Sequence, residues 1–368
     1  MGEWMGGRER DGEGVKKTVV IFIASIGAVA SKGVLSPVLV GLSLAYGSQL
    51  SGLFQWTVRQ FTEVENVFVS VERCLEYTDL PQEGGLLIIQ RQPEPSWPKQ
   101  GSIRLENLKV RYHADMEPVL KGISFLIEGG EKCGIVGRTG AGKSTLMLAL
   151  FRLVDATEGH IFFDDVNIAE IGLENLRRKI SAIPQDPVLF GSTVRFNLDP
   201  FSEHSEQELW DALQAVQLKD KVMKLQGTLN ASMAEFGDNF SVGERQMCCL
   251  ARAILQKSKI LIMDEATANV DLETDAQIQT TLRERFVNST VLIIAHRMDT
   301  IIDVDKIALL DHGKLEEFGP PEELLDKEEG MFRGMVKRVG AAGEAQLRQT
   351  AKQSAEERET RRRRMEGK

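Results

Sequence analysis

The residues best suited to chemistry stand in the stretch GIVGRTGAGKSTLMLALF, where Gly137, Gly142, Lys143 and Ser144 form the pattern G-x-x-x-x-G-K-S. Glycines at this spacing let successive backbone N–H groups close around phosphate oxygens, and a helix start adds its partial positive charge. Arg138, Thr139, Gly140 and Ala141 fill the loop, and Thr145 follows it. Lys143 offers a cation to the outer phosphates of a nucleotide and Ser144 a hydroxyl ligand for Mg²⁺. The motif requires a strand before it and a helix after it, and the flanking apolar runs are of those two kinds.

A second stretch, ILIMDE (residues 260–265), runs four apolar residues into two acids. This is the form of a buried strand ending at a reaction centre. Asp264 would hold Mg²⁺ through water, and Glu265 would polarise an attacking water as general base. By itself this pattern is weak; its value comes from sharing a chain with the phosphate loop.

These residues need a scaffold, and the chain from Ser102 onward supplies the pattern of one. Short strand-like runs (SIRLENLKV, EKCGIVG, HIFFDD, KILIMDE, TVLIIAH, DKIALLD) alternate with helical stretches. That alternation predicts an α/β domain with a largely parallel sheet over residues 101–340. Before it, residues 79–100 carry four prolines and two glycines and read as a linker.

The N-terminal part follows another logic. From Thr18 to Trp56 the only charge is Lys32, which divides a 14-residue apolar run from one of 23 residues. The second is long enough for a hydrocarbon core needing about 20 residues. The first is short, and the expectation is a helical hairpin over residues 18–78 whose first span is incomplete. Its second arm continues as an amphipathic extension through TVRQFTEVENVFVSVERCLEY. Residues 1–17 receive no assignment. Beyond Gly340 the sequence is polar, charge-dense and without a wide apolar face, so residues 341–368 are expected to be a solvated helix or disordered tail.

Composition excludes several classes. The net charge of −9 argues against a general nucleic-acid binder, although residues 331–368 alone are +6. Four cysteines with no C-x-x-C pair suggest neither a zinc site nor a disulfide framework, which fits a reducing, cytosolic setting for most of the chain.

Taken in order, the motifs of residues 101–340 resemble an ATP-binding cassette domain: the phosphate loop, ILIMDE, and also VRY, IPQD, ANVD and IIAHR. The resemblance implies a P-loop fold with a mixed, largely parallel sheet and a helical subdomain. It implies that Tyr112 stacks on adenine, that Gln185 meets Mg²⁺ and the attacking water, that Asp271 belongs to the D-loop and that His296 reaches the γ-phosphate. More finely, IPQDPVLFGSTVRFNLDPF, ILIMDEATANVDLETD and GLSLAYGSQL…VERCLEY look like the second cassette of subfamily C, the multidrug-resistance-associated exporters. The likeness covers roughly residues 18–340.

In such cassettes ATP lies between the phosphate loop of one domain and the LSGGQ helix start of a partner. Here the corresponding stretch is FSVGE, with Phe240, Val242 and Glu244 in place of Leu, Gly and Gln. Ser241 and Gly243 remain to offer a hydroxyl and backbone donors to a partner's ATP. Val242 adds bulk, and Glu244 is expected to bring a negative charge towards an anion. The resemblance therefore implies a weakened signature beside an intact Glu265. It also implies ATP and Mg²⁺ as ligands, export of organic anions or conjugates as the task, and an integral membrane location with the cassette in the cytosol. The partner would be the N-terminal half of such a transporter, with its membrane helices and a first cassette of intact signature; membrane lipid is the other contact, and nucleic acid is not expected. Two spans and one cassette are too few for a whole exporter, so the chain is expected to be a fragment, an incomplete gene model or a subunit. A non-transporting regulator and a soluble cassette ATPase are the competing readings.

Overall fold

In a computed structural model of the chain, the described residues are 19, 22–23, 25–30, 34, 36–80, 82–85, 88, 92–264, 272–295 and 297–366. By contact the chain divides into two compact units, Met1–Glu83 and Gly84–Lys368.

The first unit is dominated by α1 (Pro37–Thr78), a single helix of 42 residues. Ser36 caps its start, accepting a bond from the Leu39 N–H at 3.4 Å, and Pro37 sits in the first turn, where its missing N–H costs nothing. At 1.5 Å per residue the helix is roughly 63 Å long, about twice the ~30 Å of a hydrocarbon core. Its first half carries exposed Leu42, Phe54 and Trp56. Among the described residues it is the one helix long and apolar enough to cross a membrane. Residues 25–30 are helical too, while much of the expected first arm of the hairpin, including residue 18 and residues 31–33, lies outside the described residues.

The second unit begins to be fixed at Trp97, which is buried and donates its indole N–H to the Phe163 carbonyl at 3.0 Å. The chain then runs through β1 (Ile103–Val110), β2 (Leu120–Ile127), β3 (Lys132–Gly137), α2 (Lys143–Leu150), β4 (Glu158–Phe163), β5 (Val166–Asn167), α3 (Leu173–Arg177) and β6 (Ile180–Ile183). A helical section follows: α4 (Val194–Leu198), α5 (Glu206–Ala215), α6 (Lys219–Lys224) and α7 (Val242–Gln256). The chain returns through β7 (Ile260–Asp264), α8 (Leu272–Arg285), β8 (Thr290–Ile294), β9 (Lys306–Asp311) and β10 (Lys314–Gly319), and closes with α9 (Pro321–Asp326), α10 (Met331–Lys337) and α11 (Ala341–Glu366).

Two sheets result. One is antiparallel, in the order β2-β1-β4-β5; the other has the order β10-β9-β3-β8-β7-β6 and is parallel except for the β9–β10 hairpin. The central strands are buried along their length, as at Ile260–Met263 and Ile307–Leu310, which is what a sheet covered on both faces demands. Ile135, Leu146, Ile161, Ile262 and Leu310 join the two sheets and α2 in one core. A second core gathers the helical section around α7 through Leu209, Leu213, Val222, Phe240 and Leu250. The α/β expectation is met.

The tail takes the first of its two expected forms, a helix, and the structure adds that this helix is docked rather than wholly solvated. Residues 341–366 form α11, whose Leu347 and Ala351 are buried against the third core with Phe332 and Val336. Two arginines do the rest: Arg348 donates to the Leu325 carbonyl at 2.9 Å, and Arg358 donates to the carbonyls of Val304 (2.6 Å) and Asp305 (3.0 Å) and to Glu322 (2.6 Å). A helix with only two small apolar contacts is thus docked by charge-assisted bonds, each worth about 1.5–3 kcal/mol. The substitution R358A is expected to release the end of α11. Amide exchange from residue 352 onward should quicken markedly while β3, β7 and β8 keep their protection; unchanged exchange would show that Arg358 does not hold the helix.

Candidate functional site

The phosphate loop leaves the C-terminal end of β3 and enters α2, the place where open parallel sheets present their binding crevice. Gly137 has φ +157°, and a Cβ there would lie 2.2 Å from the Leu310 carbonyl on neighbouring β9. Gly142, the N-cap of α2, has φ +102°, and its Cβ would meet Leu120 Cδ2 at 2.5 Å. Gly137 needs glycine because a carbonyl fills the space and Gly142 because of its left-handed backbone, and the result is a loop pressed against the sheet with Arg138, Thr139 and Gly140 exposed. Lys143 is buried, with Nζ donating to the carbonyls of Gly137 (2.9 Å) and Arg138 (3.2 Å). Its ammonium therefore spans the loop between those two carbonyls. Ser144 is exposed in the first turn, and Ala141 and Thr145 are buried.

Tyr112, in the loop after β1, is half exposed, and its hydroxyl lies 3.0 Å from Thr145 Oγ1. An aromatic ring is thus brought to the loop from the other sheet, at hydrogen-bond reach of the helix that starts the phosphate site. Strand register places the remaining residues. Asp264 pairs with Ile294 on β8, and Ile294 pairs with Ile135 on β3, so Asp264 lies two strands, roughly 10 Å, from the strand that feeds the loop. Gln185 is exposed just beyond β6, whose Ile183 is paired with Met263 on β7. Ser144, Asp264 and Gln185 thus all stand at or beyond the C-terminal ends of parallel strands, on one side of the sheet. Glu265, Asp271 and His296 lie outside the described residues.

The donors gathered there are all oxygens: a hydroxyl, a carboxylate and an amide carbonyl. That set fits Mg²⁺, a hard cation that takes one or two carboxylates and completes its shell with water and phosphate. Among the described residues no three His, Cys, Asp or Glu cluster as a closed metal cage would require.

The FSVGE stretch opens α7. Phe240 is buried in the helical core with the Lys221 ammonium 4.5 Å over its ring, so this departure from Leu is a packing choice. Ser241 is the N-cap: its Oγ accepts from the Glu244 N–H at 3.2 Å, and its own N–H donates to Glu244 Oε2 at 2.7 Å, a capping box. Glu244 also pairs with Lys221 of α6. Burial raises the Glu244 carboxyl, but the bonds from Lys221 and from the Ser241 N–H outweigh it and hold the group below the usual carboxylate range. This corrects the expectation for Glu244. Its carboxylate is turned back on its own helix start and neutralised by a lysine, rather than left to face an incoming anion. Val242 and Gly243 form the first turn, both half-buried.

Sequence reasoning missed Lys221 and Gln246. Nothing in the chain marks Lys221, which reaches Glu244 from 23 residues away. Gln246 had a signal: it stands four residues before buried Leu250 and one before buried Met247, on the apolar face of an amphipathic helix.

Residues 120–268 match the family model described as ABC transporter. The chain is 52% identical over 333 residues to ATP-binding cassette sub-family C member 4 of Homo sapiens, covering 90% of this chain and 25% of that protein. It is 45% identical over 351 residues to ABC transporter C family member 3 of Dictyostelium discoideum, covering 95% and 25%. The chain thus spans about a quarter of the length of these relatives. Among solved structures, that of a bacterial Atm1-family ABC exporter with ATP bound is similar with a TM-score of 0.67 and 28% identity, over 90% of this chain and 58% of that one.

Proposed function

Since the chain belongs to the ABC transporters and groups with their subfamily C, we propose that it binds Mg-ATP and hydrolyses it as one half of a composite site, powering export of organic anions or conjugates. The observation that carries this reading is the braced phosphate loop, with Lys143 across its carbonyls and the Tyr112 hydroxyl on Thr145. The similarity to a solved ABC exporter and the long apolar helix α1 support a membrane location, with the cassette in the cytosol.

In this reading Tyr112 stacks on the adenine, and residues Gly137–Thr145 enclose the phosphates with their N–H groups. Ser144, Asp264 and Gln185 would hold Mg²⁺, which supplies charge neutralisation on the phosphate oxygens. Glu265 takes a proton from the attacking water, His296 donates to the γ-phosphate, and Asp271 lies at the contact with the partner. Ser241 and Gly243 serve the partner's ATP.

The FSVGE start makes this a poor partner for itself: Val242 hinders close approach, and the Lys221 cation is spent on Glu244. A first-half cassette with an intact LSGGQ is the fitting partner. One lost donor of this kind costs about 10²–10³ in rate in other enzymes; with Ser241 and Gly243 retained, the lower figure is the better guide. The chain alone should bind ATP and turn it over slowly, and adding the matching cassette should raise single-turnover hydrolysis toward 10²-fold. The double substitution V242G/E244Q should raise self-paired activity, because Gln keeps a capping-box side chain and releases Lys221. Equal rates for the lone chain and the mixed pair would overturn the reading.

A further inference from the structure

Helix α7 begins with the signature, and its fifth residue, Gln246, points into the protein with 2% of its surface exposed. Its Nε2 donates to two successive carbonyls, Gln185 at 2.9 Å and Pro184 at 3.1 Å. Both neighbours are acceptors only, so the amide must turn its NH₂ towards them whatever its oxygen then meets. That oxygen, Oε1, is buried and has no hydrogen-bond partner among the described residues. A buried acceptor left alone is costly, so what this glutamine contributes lies in its two donated bonds. An apolar side chain of equal length would remove that acceptor but would leave the Pro184 and Gln185 carbonyls without this donor. What the amide does achieve is to fix the backbone of Gln185, a residue that stands exposed at the sheet edge beside the strand of Asp264.

We propose that Gln246 is a positioning residue for the reaction: it holds the Gln185 backbone, and so sets where the Gln185 side chain can stand relative to the phosphate loop. The proposal rests on the ATPase reading above. It also ties the two functions of the helical section together, since the helix that offers Ser241 to a partner is the same one that grips the loop serving this chain's own nucleotide. The grip is on main-chain atoms, so it survives any change of side chain at position 184 or 185, and it acts through Gln185 without touching the nucleotide.

The test uses the full chain in detergent, with Q246M, Q185A and the double variant. Q246M keeps length and bulk and loses both donors. ATP affinity in EDTA, read by calorimetry, should match the parent in all three, because the Lys143 loop is untouched. The gain in affinity on adding Mg²⁺ should shrink about tenfold in Q246M. Single-turnover hydrolysis should fall by a similar factor, with the ATP concentration for half-maximal rate little changed. The double variant should be no slower than Q185A alone, since Gln246 acts only through that residue. A merely structural glutamine would lower the melting temperature and affect EDTA and Mg²⁺ titrations alike. If Q246M behaves as the parent in Mg²⁺ response and rate, or if its defect adds fully to that of Q185A, the proposal is wrong. If Q246M does not fold, Q246N, shorter by one methylene, takes its place with the same expected pattern. A parent chain that binds no ATP at all would instead refute the ATPase reading.

Discussion

The substitution K143A is expected to weaken ATP binding by roughly 10- to 150-fold, the equivalent of the about 1.5–3 kcal/mol of a hydrogen bond to a charged group. Two losses combine. The cation that would face the outer phosphates disappears, and so does the strut between the Gly137 and Arg138 carbonyls that keeps the loop's mouth shaped before a nucleotide arrives. Because the lysine stem is buried, Ala also removes packing; K143M keeps the stem and isolates the charge. Calorimetric titration of ATP into parent, K143A and K143M separates the terms. The two variants should be similarly weak, and melting temperatures should show K143M as the more stable. Affinity equal to the parent in both would mean that phosphate is bound elsewhere.

E265Q should leave ATP binding intact and depress hydrolysis by about 10²-fold or more, within the 10²–10⁴ that general acid–base catalysis contributes. The amide is nearly isosteric with the carboxylate but cannot take a proton from water. Its neighbour Asp264 ends β7 in register with β8, which fixes the backbone from which residue 265 departs. Single-turnover hydrolysis in a pair with an LSGGQ cassette is the measurement. A variant as fast as the parent would remove Glu265 from the role of base. D264N makes the contrast: it should weaken the response to Mg²⁺ as well as the rate.

What could be read in the chain beforehand was contiguous. The phosphate loop declares itself in nine consecutive residues because its function lies in backbone N–H groups, and only glycine, lysine and a hydroxyl at fixed offsets provide that arrangement. The parallel sheet was legible from buried apolar runs such as ILIM, since both faces are covered. Pairings across the fold were not. Gln246 meets Gln185 over 61 residues and Lys221 meets Glu244 over 23, and no local pattern records such a meeting. Phe240 counted among the departures that weaken the signature, whereas its side chain answers to the core beneath it. The docking of the tail helix was hidden for a related reason: it depends on two arginines reaching main-chain carbonyls, and a hydrophobic pattern does not register that kind of contact.

The wedge at Gly137 limits how this site can change. With any side chain there pushed against the Leu310 carbonyl, a substitution would disturb the β3–β9 pairing at the same stroke as the nucleotide. Selection therefore has no route to dismiss the ligand at position 137 while keeping the domain, and neither has an experimenter who wants a silent control. Lys143 and Glu265 offer separable handles; Gly137 does not, and an inactive natural variant altered there should be sought among unstable proteins before it is counted among catalytic ones.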